Sequence, residues 1–248
     1  MSAQTSARTS APTSAPPSTP TSAPTATQPA AQTATPASSP LPREAMAERM
    51  KACAMCHGRE GRATSAGYFP RIAGKPAGYL FNQLQNFREG RRRNTAMNHL
   101  MQYMSDDYLR EMAAYFSSLD LPYPPARPSG LTAEETRLAE TLVYRGAPQR
   151  QLPACVSCHG ADMTGKLPAM PGLLTLPADY LIGQLGAWQT GSRHARAPDC
   201  MATVAQRLTA DEVSVLARWL SSQAVPANPH PAPAGAQPLP ITCGSGGP

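Results

Sequence analysis

The chain has 248 residues, 28 of them proline, and a formal net charge of +6. No apolar run approaches the ~18 residues that a membrane-spanning helix needs, so none is expected. The mild positive charge favours acidic partners or anionic surfaces; no segment interleaves a basic stripe with aromatics, so nucleic acid is not an expected partner.

Residues 1–40 hold Met, Ser, Ala, Gln, Thr and Pro with the single charge of Arg8. Such a stretch buries too little apolar surface to offset the entropy of ordering, and is expected to be a disordered tether. It shows neither the charged nor the apolar region of a signal peptide. Residues 41–120 follow as a first helical domain. A helix is predicted from about Pro42 to Ala52, then the pentapeptide CAMCH at 53–57. A second helix starts near Pro76 and stops before Gly90, with proline in the first turn and glycine past the end. The run Arg91-Arg92-Arg93 is expected in a solvated loop. A last helix begins at Ser105, where Asp106 and Asp107 suit the positive end of the dipole. Leu109, Met112, Ala113 and Phe116 then fall on one face. Residues 121–131, rich in proline, make a fairly stiff linker.

The same order returns in residues 132–225. Thr132 with Glu135 forms a capping-box pattern, and this helix stops near Gly146. CVSCH follows at 155–159. The next helix starts near Pro177 and ends before Gly191. The last begins at Thr209, with Glu212 completing another box, and Val213, Leu216, Ala217 and Leu220 on its buried face. No convincing strand alternation occurs, and the Pro/Gly-rich stretch 226–248 is expected to be a second disordered tail. Tyr79-Leu80 and Gln83-Leu84 match Tyr180-Leu181 and Gln184-Leu185 in the other half. A repeat of this length implies two similar domains, so the fold class is all-α, two tandem domains between disordered tails.

The pentapeptides carry the chemistry. C-x-x-C-H is the haem c attachment pattern. Its two thiols add to the two vinyl groups of one haem, and the adjacent histidine lies beneath the iron. Cys53, Cys56 and His57 form one such set, Cys155, Cys158 and His159 the other. Zinc would want four ligands, and the first copy offers only its pentapeptide and the distant His99. A redox C-x-x-C would need a βαβ context that is missing. Two covalently bound haem c groups are therefore expected. For the sixth iron position, Met97 and Met201 each stand the same distance before the last helix of their copy, so both are candidates for a soft thioether ligand. Met101 and Met104 compete in the first copy; His99 and His194 are rival ligands.

These features together resemble the diheme cytochrome c family of the c-four type, two class I cytochrome c domains in one chain. The likeness rests on CAMCHG, YFPRIAGKPAGYLFNQLQNFREG, Met97, MSDD and AAYF, then on CVSCHG, YLIGQL, Met201 and LTADE. It spans residues 43–223. It implies covalent haem, His/Met ligation by His57 with Met97 and His159 with Met201, and a proline carbonyl oriented on each proximal histidine. Pro70 and Pro171 fit that role, although the second copy, PGLL, departs further than FPRIAG from the FP-basic-LAG pattern of the family. It implies an electron carrier, not an enzyme, serving a respiratory chain. A quinol-cytochrome c reductase or a dehydrogenase is the expected donor, and a membrane terminal oxidase the acceptor. Arg88 and Arg91–Arg93 are candidates for docking an acidic partner.

Haem c is attached outside the bacterial cytoplasm, so the chain is expected in the periplasm. Met1 is then a misassigned start or the chain is truncated, and a missing N-terminal anchor would allow membrane association. An alternative function is a diheme oxidoreductase such as a thiosulfate dehydrogenase, or the cytochrome subunit of a dehydrogenase or oxidase. Cys200 beside Met201 motivates the enzyme reading, since a thiolate on iron would alter that haem. Cys200 and Cys243 are the only cysteines outside the pentapeptides. They can instead pair as a disulfide, or Cys200 can be free.

Overall fold

Behind Pro42, helix α1 (Arg43–His57) buries Met46 and Met50 and continues through CAMCH to Gly58, whose φ of 75° ends it. The sequence predicts an end near Ala52; the longer helix makes the pentapeptide its last turn. The computed structural model describes residues 41–64, 67–235 and 238–246, within one compact unit. The tether expected over 1–40 lies outside the described residues.

Helix α2 (Ala77–Arg88) follows Pro76 and buries Leu80 and Phe87. Helix α3 (Thr95–Met101) is capped by the Asn94 side chain. Helix α4 (Asp106–Ser117) is capped by Ser105 and buries the face foreseen, Leu109, Met112, Ala113 and Phe116. That face is the reason α4 packs against both α1 and α2.

The second copy repeats this plan with one change. Helix α5 (Ala133–Tyr144) carries the Thr132–Glu135 capping box, but its attachment pentapeptide sits on a separate short helix, α6 (Val156–His159). The intervening loop is closed by backbone hydrogen bonds between Ala147 and Leu152. Gly146 (φ 69°) permits the closure, because a Cβ there would stand 2.3 Å from the Leu152 carbonyl. Arg150 fixes the loop to Glu212 at 2.7 and 2.9 Å. Helices α7 (Ala178–Gln189), α8 (Cys200–Ala205) and α9 (Ala210–Ser222) complete the copy. Helix α9 packs on α5 and α7.

Two short elements were not expected from the pattern. Gly165–Lys166 (β1) and Met170–Pro171 (β2) pair antiparallel. The sequence shows no alternation there because two residues are too few to display a period of two. Residues 226–235 and 238–246, expected as a disordered tail, instead lie along the protein. Ala232 exchanges backbone hydrogen bonds with Gly165 and Leu167 at 2.9 and 2.8 Å, and Gly244 donates to Pro198 at 2.8 Å. A Cys200–Cys243 disulfide secures the segment. Composition alone hides these anchors, since they lie far off in sequence. The linker is also held: Arg71 donates to the carbonyls of Leu121 and Pro122 at its start, and Arg218 to that of Gly130 near its end.

Candidate functional site

Cys53 and Cys56 are three residues apart on α1, a spacing that puts both side chains on one helix face. Neither is in a disulfide, and the same holds for Cys155 and Cys158. Burial raises the Cys53 and Cys158 thiols and pushes Cys155 up to about 11. Among the described residues no group of three His, Cys, Asp or Glu is arranged to hold a metal ion.

The two histidines share one geometry. His57 Nδ1 lies 3.0 Å from the Pro70 carbonyl, and His159 Nδ1 lies 2.7 Å from that of Pro171. Burial holds both imidazoles below their ordinary 6.5 against the opposing pull of those carbonyls. A neutral ring that donates from Nδ1 to a carbonyl keeps its Nε2 lone pair free, the tautomer required of an iron ligand. The donor sets thus fit the haem groups that the pentapeptides imply.

Met97 and Met201 sit elsewhere in the fold, on α3 and α8. These short helices pack against α2 and α7 of their own copies. Asn94 caps α3 by accepting from the Met97 N–H at 3.0 Å. Asp199 caps α8, accepting from Ala202 at 3.0 Å, Ala195 at 2.6 Å and the Trp188 indole at 3.2 Å. Both methionines are half-buried. Of the competitors, Met101 is in the first core, and Met104 is half-buried against it. His99 and His194 are exposed, His99 beside Gln102 at 3.0 Å. Cys200 is paired with Cys243, which removes the thiolate proposed for it.

A polar cluster joins the copies, and reading each copy alone missed it. Arg92 donates to Gln83 (2.9 Å), Gln184 (2.7 Å) and the Tyr180 hydroxyl (2.8 Å). Arg193 donates to Gln184 (2.6 Å) and Gln83 (3.0 Å). The signal was present: Gln83 and Gln184, like Arg92 and Arg193, occupy matching repeat positions. The solvated-loop expectation for Arg91–Arg93 fails at Arg92, which is 8 % exposed. Arg88 is engaged with Met104 and Asp106, and Arg91 with Asn86 and Glu89. Of the four arginines considered for docking, Arg93 alone is exposed.

The cytochrome c family model matches residues 43–120. A thiosulfate dehydrogenase electron acceptor of Thiomonas intermedia is 36% identical over 173 residues, 69% of this chain and 78% of that protein. Among solved structures, reduced recombinant cytochrome c4 from Pseudomonas stutzeri superposes with a TM-score of 0.63 at 28% identity, covering 73% of this chain and 98% of that one. A thiosulfate dehydrogenase from Marichromatium purpuratum gives 0.64 at 33% identity over 73% of this chain, which spans only 40% of that longer one. With paired attachment pentapeptides on two helical copies, the chain belongs to the diheme cytochrome c family of the c-four type, electron-transfer proteins with covalently bound haem c.

Proposed function

We propose that this chain is a periplasmic two-haem carrier that takes electrons from a thiosulfate-oxidising dehydrogenase and passes them toward a membrane-bound terminal oxidase. The repeated histidine–carbonyl geometry carries the reading: His57 with Pro70 and His159 with Pro171 each present one free Nε2. Cys53 and Cys56, and Cys155 and Cys158, would supply the thioether links. His57 with Met97, and His159 with Met201, would close the two axial pairs. Bound haem supplies a one-electron ferric/ferrous couple. The residues would hold it with an unchanging ligand set, so electron transfer would ask for little rearrangement, and a thioether ligand favours a high potential. The named role of the Thiomonas relative, and of a second relative from Stutzerimonas stutzeri that is 35% identical, supports a thiosulfate dehydrogenase as donor. A quinol-cytochrome c reductase is the other class of donor. No helix among the described residues is long and apolar enough to cross a membrane.

The rival is that this chain oxidises thiosulfate itself. Its sequence motive was Cys200, and that sulfur is engaged with Cys243. Mixing the oxidised two-haem protein with thiosulfate, with and without a thiosulfate dehydrogenase, separates the two. A carrier is reduced rapidly only when the dehydrogenase is present. Rapid reduction by thiosulfate alone would establish the enzyme instead.

A further inference from the structure

Lys75 belongs to the first copy, yet its ammonium is spent on the second. The side chain is 4 % exposed, and Nζ donates to the Gly172 carbonyl at 2.6 Å. It lies in a crevice lined by Tyr123, Met163, Thr164, Leu174 and Val225. Burial, aided by the charge of Arg71, pushes the amine down to about 7. An amine held in such surroundings, bonded to a carbonyl across a domain boundary, is costly and calls for a reason.

The reason lies in a difference between the copies. In the first, the residue after the histidine-binding proline is Arg71. Its buried guanidinium holds the carbonyls of Ala73, Leu121 and Pro122. In the second, the matching residue after Pro171 is Gly172. No side chain fits there, because a Cβ would stand 2.3 Å from the Thr164 carbonyl. The second proximal loop therefore cannot carry its own cation, and Lys75 reaches in from the other copy to that very residue. Nothing returns the favour: the repeat position of Lys75 is Leu176, a buried apolar residue.

We infer that Lys75 is a positioning residue for the second haem site: it anchors the loop behind the Pro171–His159 hydrogen bond and supplies the positive charge that Gly172 cannot. This rests on the reading of His159 as an iron ligand. A ferric centre carries one more positive charge than a ferrous one, so a nearby cation in a poorly polarisable interior favours the ferrous state. The effect falls on the second haem alone, which would make the two potentials unequal.

The test is a potentiometric titration of the two-haem protein and its Lys75→Gln and Lys75→Met variants, below the pKa of the amine. Gln keeps a donor for the Gly172 carbonyl and loses the charge; Met loses both. In each, one haem should shift several-fold toward ferric, up to about tenfold or ~59 mV for a one-electron couple, with the other unmoved. Lys75→Met should unfold at a lower temperature than Lys75→Gln, since it leaves the buried Gly172 carbonyl without its donor. Two unmoved midpoints, or two that fall together, would overturn the inference. Met201→His should displace the same midpoint as the Lys75 variants, and displacement of the opposite one also overturns it. If Met201→His moves neither midpoint, the ligand assignment fails, while Lys75 is still judged by whether a single midpoint falls in its own variants.

Discussion

Arg92 and Arg193 share their acceptors: each donates to the side-chain oxygen of Gln83 and to that of Gln184, at 2.6 to 3.0 Å. Each guanidinium also lies over an aromatic ring of its own copy, Phe87 at 4.6 Å and Trp188 at 3.7 Å. Burial and the neighbouring Arg92 charge push Arg193 down to about 10. The two cations are thus held together by neutral oxygens and ring faces.

Removing one acceptor should expose how far this clasp joins the copies. Gln83→Ala leaves both guanidiniums short of a hydrogen bond, and a buried donor left unpaired costs roughly 1–3 kcal/mol. A lower urea midpoint and faster proteolysis within 121–131 are expected. Curves that superpose on those of the parent chain would show that the clasp contributes nothing to docking.

The axial assignment makes a separate demand. Met97→Ala and Met201→Ala should each open one iron, and only one, to carbon monoxide, as read by reduced difference spectra. Loss of the thioether should also lower that haem's potential. If carbon monoxide binds neither variant, the sixth ligands lie elsewhere, and His99 and His194 are the next to replace.

The disulfide gives a third expectation. Cys200 and Cys243 are separated by 43 positions, a loop whose closure is worth ~2–4 kcal/mol. Cys243→Ser should lower stability by about that much and free the segment after 238 to proteolysis. The oxidised near-infrared spectrum should still show a thioether on the second iron in Cys200→Ser. A spectrum that changes only in Cys200→Ser would return that sulfur to the iron.

Acid should act through Glu212. Its hydrogen bonds from Arg150 hold the carboxylate below the ordinary 4.5, with the Thr209 backbone helping. A depressed folded-state pKa gives stability that is complete above 4.5 and lost as pH falls through the lower folded value. Glu212→Gln should flatten that part of the stability–pH profile. Thr209→Ala, which removes the cap of α9, should cost ~1 kcal/mol near neutral pH. An unchanged acid limb in Glu212→Gln would place the acid sensitivity elsewhere.

Much of this protein is written locally. Attachment chemistry is contained in five consecutive residues, although the structure puts the first pentapeptide inside α1 and the second on a short helix of its own. Helix starts at Ser105, Thr132 and Thr209 were legible because a cap and the N–H it accepts are three residues apart. Repetition of the whole pattern announced two domains, and the family resemblance implied the proline carbonyls on His57 and His159. What the tertiary structure alone decided has the opposite character. That Arg92 is buried rather than solvated, that Lys75 serves Gly172, and that Cys243 meets Cys200 follow from how surfaces distant in sequence pack together. A side chain's local pattern records the face it occupies on its own helix. The partner across the boundary is chosen by shape, by the space that Gly172 leaves, and by the need of every buried donor for an acceptor.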